Sequence, residues 1–443
     1  MQLVSMTFLM VFLPLFVGLY WLCPAHGRKY LLAAACLAFY YQMQPRMFLP
    51  MLAAILLDYA LIHFMSAHAL GKSQRHFLVL FGVFKNIALI AVFGAAGAMH
   101  AGEVPYGYLV YSVTSIGYLV DVYCRKCPAE KNIASFLCFS AYFPKLAAGP
   151  VITGDEVLPQ LKAPKPTLSG AASGFSRFVR GFAKIAILST QLTSYYTALS
   201  SQMAQSPCVL AAWMLALTRG LQLYFYLSGL CDMAKGIAKM LGIWIPANFY
   251  YPAEAAGVDD FFSRFNVTVN RFLGKYVYLA LGGEENGRMA GAINVMVVAM
   301  LSGLWFGIRL NYLVWGVYLG IFILLERYVL ARALPRVPVV LMHLATVFIV
   351  VVSFAIFSGD TLSQSAGYLA VMFGLSGAPV YHGNFLYITS ANLSILLIAV
   401  ISSLGLVSRL DQLLKGRHGH LRALLGTVFT LLLYLLSVSM LIY

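Results

Sequence analysis

Apolar stretches of about 20 residues, long enough to span a bilayer, recur from one end of the chain to the other with short polar segments between them. The pattern predicts an all-α polytopic membrane protein. The first run, Met6 to Leu22, has no basic stretch before it and no small-residue cleavage site after it. It reads as a retained helix and not as a secretory leader. Two segments break the pattern. Phe136 to Gln160 is apolar but interrupted by Pro144, Gly149, Pro150 and Pro159. Ile243 to Gly283 mixes aromatic residues with Asn248, Asp259, Asp260, Arg264, Asn266, Asn270, Arg271 and Lys275. Polar or non-helical backbone at membrane depth survives only where protein buries it or where it lines a wet cavity. Both segments therefore read as re-entrant or interfacial, and they frame a candidate site.

The polar segments alternate in charge, and cytoplasmic loops are the ones enriched in Lys and Arg. Residues 1–5 carry no basic charge, Pro24 to Lys29 carries two, and the segment around Arg46 one. Gly71 to His76 carries two, His100 to Pro105 none, and Cys124 to Lys131 three. This order puts the N-terminus outside and 124–131 inside. From Val337 to Ser408 there is no Lys or Arg, so the polar stretch near 359–388 reads as external. The flanking clusters, Arg327, Arg332 and Arg336 before it and Arg409, Lys415, Arg417 and Arg422 after it, read as cytoplasmic. The tally is roughly twelve crossings with both termini outside. One membrane-embedded domain, 1–443, is expected, with N-terminal helices (1–131), a core holding the re-entrant segments (132–320) and C-terminal helices (321–443).

Composition agrees. The 443 residues are 61% hydrophobic and 10% charged, where a soluble chain carries about 25% charged residues. The net charge of +15, from 30 Lys+Arg against 15 Asp+Glu, would suggest nucleic acid in a soluble protein. Here short loops hold the basic residues and topology accounts for them, so the bilayer and not nucleic acid is the expected partner. The seven cysteines form no framework. Cys124 and Cys127 make one lone CxxC without the second pair that a structural zinc site wants. No metal is expected, and loop thiols kept reduced on the cytoplasmic side are the plain reading.

Ionisable residues inside membranes are expensive and mark function by default. Three clusters qualify. In Tyr224 to Pro252, Asp232 is followed by Lys235 and Lys239. It reads either as a helix-end ion pair at i,i+3 or as a site wall. In Asp259 to Gly283, Asp259 or Asp260 can cap a helix through Phe272, with Phe261, Phe262, Phe265, Phe272 and Leu273 on one face. Arg264, Arg271 and Lys275 fall on another, as in an amphipathic helix with snorkelling cations. The competing reading turns Arg264 and Asn266 into a cavity. In Leu301 to Gly316, Gly303 and Gly307 permit close helix packing. Arg309 marks a short loop between two helices, and Asn311 suits an N-cap.

At these residues the chain resembles the membrane-bound O-acyltransferase (MBOAT) family, in its bacterial branch of alginate O-acetylation and teichoic acid D-alanyl transfer. Tyr142 to Leu161 is similar to the family's aromatic-Phe-Pro-Gln-Leu-x-Ala-Gly-Pro run that closes on Pro-Gln-Leu. Tyr224 to Pro252 resembles the Tyr-Phe-Asp-Phe-Ser-Gly-Tyr-Ser-Asp-Met-Ala block, and Phe261 to Gly283 the Phe-Trp-Arg-Arg-Trp-His…Pro-Leu-Gly-Gly block. Gly303 to Gly320 resembles Gly-Leu-Trp-His-Gly-x-x-Trp-Asn…Trp-Gly-x-Tyr. The resemblance implies an MBOAT-type bundle in a bacterial cytoplasmic membrane and no bound cofactor. It also implies an acyl-thioester donor (acyl-CoA or acyl carrier protein) and an extracytoplasmic acyltransferase partner.

The departures bear on chemistry. The family's near-invariant catalytic histidine falls at Phe306, and its second histidine at Asn266. Tyr226 stands where Tyr-Phe-Asp has its aspartate. What the resemblance leaves as cavity-lining residues is Asp232, Asn248, Arg264, Trp305 and Asn311. Acyl transfer to a hydroxyl needs a base near neutrality, a task that suits histidine. Phenylalanine has no lone pair, and asparagine orients by hydrogen bonds without taking a proton. The loss of general-base help is typically about 10²–10⁴-fold. His343, in an apolar helix, is either a replacement base or a buried structural histidine. Three functional readings follow. The first is a catalytically impaired MBOAT-fold member of an envelope or exopolysaccharide acylation system. The second is a working O-acyltransferase with a rewired site. The third is a transporter, against which the placement of the charges in acyltransferase blocks argues.

Overall fold

A computed structural model describes residues 3–66, 70–99, 104–147, 149–331, 334–406 and 419–442. Arg332, Arg409, Lys415 and Arg417, on which part of the charge reading rests, lie outside the described residues, as does 100–103 of the uncharged loop. Regular structure among the described residues is helical, with one isolated bridge, Phe249 to Phe265. Five helices are long and apolar enough to cross a membrane: Pro45–Met65, Lys72–Ala98, Leu310–Val329, Val339–Ser358 and Leu424–Ile442. A sixth span results if Gly383–Ala391 and Leu393–Ser403, bent by 61° at their break, are counted as one. The class is the multi-pass helical one that the pattern predicts. The sequence tally counted apolar runs, and several of those runs fold as shorter helices, among them Ile133–Leu146 and Arg288–Leu304.

The chain divides into two compact units, Met1–Phe182 with Leu230–Ala247, and Ala183–Gly229 with Asn248–Tyr443. The first holds α1 (Leu13–Leu22), α2 (Arg28–Met43), α3 (Pro45–Met65), α4 (Lys72–Ala98) and α5 (Tyr108–Tyr123). It also holds α6 (Ile133–Ser140), α7 (Phe143–Leu146), α8 (Gly154–Lys162) and most of α9 (Leu168–Ala183). Aromatic rings fill its centre: Phe143 lies 5.0 Å from Phe39 and 5.9 Å from Phe16, centroid to centroid. The Pro- and Gly-broken stretch 136–160 is laid down as the end of α6, then α7 and α8. Pro144 sits in the first turn of α7, where a missing N–H costs nothing. Gly149 and Pro150 lie between α7 and α8, and Pro159 is inside α8. Between α3 and α4, buried Asp58 pairs with Lys85 at 2.8 Å and accepts from Asn86, which satisfies a charge that apolar surroundings would penalise.

The second unit holds α10 (Thr190–Gln205), the first two-thirds of α11 (Val209–Met240), α12 (Val258–Arg264), α13 (Val267–Leu273), α14 (Arg288–Leu304) and α15 (Leu310–Leu324). After these come α16 (Val339–Ser358), α17 (Leu362–Met372), α18 (Gly383–Ala391), α19 (Leu393–Ser403) and α20 (Gly419–Ile442). Its core gathers Trp315, Leu319, Phe354, Phe357, Phe261 and Phe265. The tightest approach is that of α14 to α15. A methyl on Gly303 would overlap the Tyr312 carbonyl, and one on Gly316 the Ala299 carbonyl. Gly303 thus packs helices as its sequence context predicts. Gly307 does not, since it holds a backbone φ of 142° in the turn that follows α14.

Candidate functional site

Two short antiparallel segments of the second unit, 248–250 and 264–267, build one wall of the site. Tyr250 N–H donates to the Arg264 carbonyl at 3.0 Å and Val267 N–H to the Asn248 carbonyl at 2.9 Å. The Asn248 side chain completes the clamp. Its Nδ2 donates to Asn266 Oδ1 at 2.8 Å, while its Oδ1 accepts from Thr268 N at 2.8 Å and Thr268 Oγ1 at 2.7 Å. All three residues are buried. Asn266 sits at φ 56°, ψ 44°, a left-handed conformation that asparagine tolerates better than most residues. That turn breaks the helix expected to run through Phe272 into α12 and α13.

The cap of α12 also differs from expectation. Its N-cap is Gly257, and its first free N–H groups are taken by a distant carboxylate. Glu326 Oε1 accepts from Val258 N at 2.7 Å and Oε2 from Asp259 N at 3.0 Å. Asp259 pairs instead with Arg327, at 2.7 and 3.1 Å. A carboxylate at a helix start satisfies orphan donors and meets the positive end of the dipole. Asp260 receives Arg264 Nε at 2.7 Å and Ala256 N at 3.1 Å. Burial alone would raise the Asp260 carboxyl, but these donors and the guanidinium charge outweigh it and hold the pKa below the ordinary value. Phe261, Phe265, Phe272 and Leu273 are buried and Arg271 is exposed, which is the amphipathic division the spacing predicts.

The second wall is the turn between α14 and α15. Phe306 N–H donates to the Gly303 carbonyl at 3.1 Å and Arg309 N–H to the Gly307 carbonyl at 3.0 Å. Trp305 is half-buried at the end of α14. The Phe306 ring lies 5.3 Å from Phe357, 5.7 Å from Trp315 and 6.4 Å from Phe265. Trp315 Nε1 donates to Ser353 Oγ at 3.1 Å. Arg309 marks the loop as expected, but it and not Asn311 is the N-cap of α15. Asn311 is buried one residue into the helix, and its Nδ2 donates to the Gly359 carbonyl at 2.7 Å, tying α15 to the end of α16. Asn311 lies past the cap position, inside the first turn of α15, and its amide serves the neighbouring helix.

The other predicted residues lie elsewhere. Asp232 belongs to the first unit, where Arg177 grips it at 2.8 Å; Lys235, three residues on, stands over the Trp244 ring. Arg264 is a third exposed and engaged by Asp260. His343 Nδ1 lies 3.0 Å from the Ala255 carbonyl, so that nitrogen carries the proton and donates. It is 14 residues before Phe357 on α16, about 21 Å along the axis at 1.5 Å per residue. It therefore does not share the surroundings of Phe306. The rings in contact with Phe306 carry no proton acceptor, and the Asn266 Oδ1 is already a hydrogen-bond acceptor for Asn248. The turn offers aromatic surface, amide hydrogen bonds and the Arg309 guanidinium with its exposed carboxylate partner Asp360, at 3.4 Å, while the rings stacked around Phe306 offer no base.

One charged neighbour of this turn is absent from the sequence-predicted set. Arg219 of α11 packs its guanidinium against Phe357 at 5.6 Å, the same ring that Phe306 touches. Its signal was a single charge within the apolar stretch Val209 to Leu230. A separate cavity of about 370 Å³ lies in the first unit, lined by Glu130, Lys131, Asp155, Leu158 and Lys162 among others.

Comparison with known proteins bears on what this arrangement is. The model of the membrane-bound O-acyltransferase family matches residues 128–364. A probable alginate O-acetylase of Azotobacter vinelandii is 31% identical over 90% of this chain and 83% of its own length. That of Pseudomonas aeruginosa is 29% identical over 93% and 83%. The peptidoglycan O-acetyltransferase of Helicobacter pylori is 29% identical over 57% of this chain and 49% of its own length.

Proposed function

The chain belongs to the membrane-bound O-acyltransferase family, and from that premise we propose that it serves an envelope or exopolysaccharide O-acylation system as a member impaired in the usual chemistry. The observation that carries the reading is Phe306. It occupies the position where the family resemblance expects the catalytic histidine, and its surroundings are Phe265, Trp315 and Phe357. Asn266, at the other expected histidine position, has its Oδ1 engaged by Asn248. Without a base at the Phe306 position, a hydroxyl bound against it lacks the family's proton acceptor, and about 10²–10⁴-fold of rate is forfeited. The protein then contributes by holding the acceptor polymer, an acyl-thioester donor or an extracytoplasmic transferase at the membrane. The charge pattern supports a cytoplasmic-membrane protein with its N-terminus and the Phe306 turn on the outer side.

The test has two arms. Purified protein is incubated with acetyl-thioester donor and hydroxyl acceptor, and a strain lacking the gene is scored for polymer O-acylation with and without the chain restored. The expected outcome is no turnover in the first arm and restoration in the second. Turnover that is abolished by substituting His343, Asp232 or Arg264 would sink the impaired reading and install an active, rewired O-acyltransferase.

A further inference from the structure

The cavity of about 370 Å³ in the first unit falls within the range of small-molecule sites, about 300–1,000 Å³. Four charged side chains line it: Glu130, Lys131, Asp155 and Lys162. Its walls are the loop after α5 and the start of α8, and Tyr118 holds the two together. Tyr118 Oη donates to the Pro128 carbonyl at 3.0 Å and accepts from Glu130 N–H at 2.8 Å. The Tyr118 ring lies so close to α8 that a methyl on Gly154 would overlap it. The fold itself thus fixes the walls.

The four charges do not neutralise one another. The Glu130 side chain is only 8% exposed, and one of its two oxygens is well satisfied. Oε1 accepts from Asn132 N–H at 2.9 Å, whereas Oε2 stands 3.9 Å from Lys162 Nζ, too far for a hydrogen bond. The Asp155 and Lys131 side chains have no hydrogen bond or ion pair among the described residues. A buried carboxylate with one oxygen unanswered calls for a donor. Two ammonium groups on the same walls disfavour a bare cation, and two carboxylates disfavour a bare anion. What answers all four is a ligand that carries both signs.

The place of the cavity narrows the class. Tyr59 of α3 donates to the Lys131 carbonyl at 2.6 Å, and Arg75 of α4 to the Tyr123 carbonyl at 3.3 Å. Both helices are long and apolar enough to cross a membrane. The loop is therefore fastened to the helix ends that the charge pattern puts on the cytoplasmic side. Leu158 and Pro159 add apolar surface to the lining. At that surface a primary ammonium and a phosphodiester occur together in the headgroup of an aminophospholipid. We propose that the cavity binds an ethanolamine phospholipid of the inner leaflet. The ammonium donates to Glu130 and Asp155, and the phosphate meets Lys131 and Lys162. Glu130 is buried while the other three are exposed, which sets the ammonium inside and the phosphate at the rim. Every residue used belongs to the first unit, and nothing here draws on the reading of Phe306.

The full chain in a neutral detergent is titrated with glycerophosphoethanolamine, glycerophosphocholine and glycerophosphoglycerol. The ethanolamine compound binds. The choline compound has no N–H and the glycerol compound no cation, so each binds more weakly by about tenfold or more, as expected for a lost hydrogen bond to a charged group. Glu130→Gln keeps an acceptor for Asn132 N–H without the charge, and it loses the preference for ethanolamine over choline. Lys162→Gln weakens both compounds alike and keeps that preference. In nanodiscs of phosphatidylethanolamine and phosphatidylcholine in equal parts, native mass spectrometry finds the ethanolamine lipid enriched on the wild-type chain and not on Glu130→Gln. All variants are compared at matched unfolding midpoint. Should Glu130→Gln fail to fold, Asp155→Asn, at an exposed position, decides in its place. The proposal is overturned if the ethanolamine compound binds no tighter than either of the others, or not at all. An unchanged preference in the deciding variant, or its loss in Lys162→Gln, overturns it too. So does headgroup binding from solution without lipid enrichment in the nanodiscs.

Discussion

Asn248→Ala tests whether the left-handed turn at Asn266 is held by the Asn248 clamp. The substitution removes the acceptor for Thr268 N and Thr268 Oγ1 and the donor to Asn266 Oδ1. All three residues are buried, with Asn248 at 2%, Thr268 at 1% and Asn266 at 6% exposure. A stranded buried donor costs about 1–3 kcal/mol and a lost neutral hydrogen bond about 1. Two stranded donors and one lost bond come to about 3 kcal/mol, allowing the Thr268 hydroxyl to rotate toward another acceptor. Thr268→Val removes only the hydroxyl bond, since Asn248 Oδ1 keeps the backbone N–H, and costs about 1 kcal/mol. The double variant falls short of the sum by about 1 kcal/mol, because both substitutions delete the same bond. Equilibrium unfolding in mixed micelles, followed by tryptophan fluorescence, measures all four proteins. A cost under about 1 kcal/mol for Asn248→Ala, or strict additivity with Thr268→Val, would refute the clamp.

Gly303→Ala or Gly316→Ala, each of which places a methyl on a neighbouring carbonyl, lowers stability by about 1–3 kcal/mol or prevents accumulation in the membrane; an unfolding midpoint like that of wild type in both would contradict the packing. Glu326→Ala uncaps α12 at a cost of about 1–2 kcal/mol. Cleavage within 252–266 under limited proteolysis should quicken, while Glu326→Gln, which retains acceptors on one oxygen, falls between. The depressed Asp260 carboxyl contributes stability that is present above its unfolded pKa, about 3.9, and lost as pH falls through the lower folded value. The unfolding midpoint of wild type therefore drops more steeply than that of Asp260→Asn on acidification from about pH 5 to pH 3, and parallel profiles would remove Asp260 from the accounting.

Much of the architecture was legible because bilayer physics leaves few options: long apolar runs fold as helices, although Pro50 and Pro159 sit inside α3 and α8 without ending them. The division of Phe261, Phe265 and Phe272 from Arg271 followed from spacing alone, as did the role of Gly303. What spacing does not reveal is long-range choice of partner. Asp259 suits a local cap, yet Arg327 takes it and Glu326, 67 residues away, caps in its place. Asn311 has the chemistry of an N-cap, but the Gly359 carbonyl claims its amide. The break at Asn266 depends on Asn248, 18 residues earlier. Arg219 lies outside the motif blocks, and only the fold brings it to Phe357. Nor does any local pattern announce that the chain leaves its first unit at Phe182 and returns to it at Leu230.

The helix that begins just after the Phe306 turn is the one whose far end grips α12. From Leu310 to Val329 it runs 20 residues, about 30 Å, with Asn311 tied at one end and Glu326 and Arg327 at the other. A rod fastened at both ends transmits displacement without absorbing it. A partner that pulled Arg327 away from Asp259 would be felt at Arg309 and Phe306, and a polymer seated at the turn would be felt at α12. The two ends of this span, Leu310 to Val329, are therefore expected to report on one another, so that a label placed at either one monitors occupancy at both.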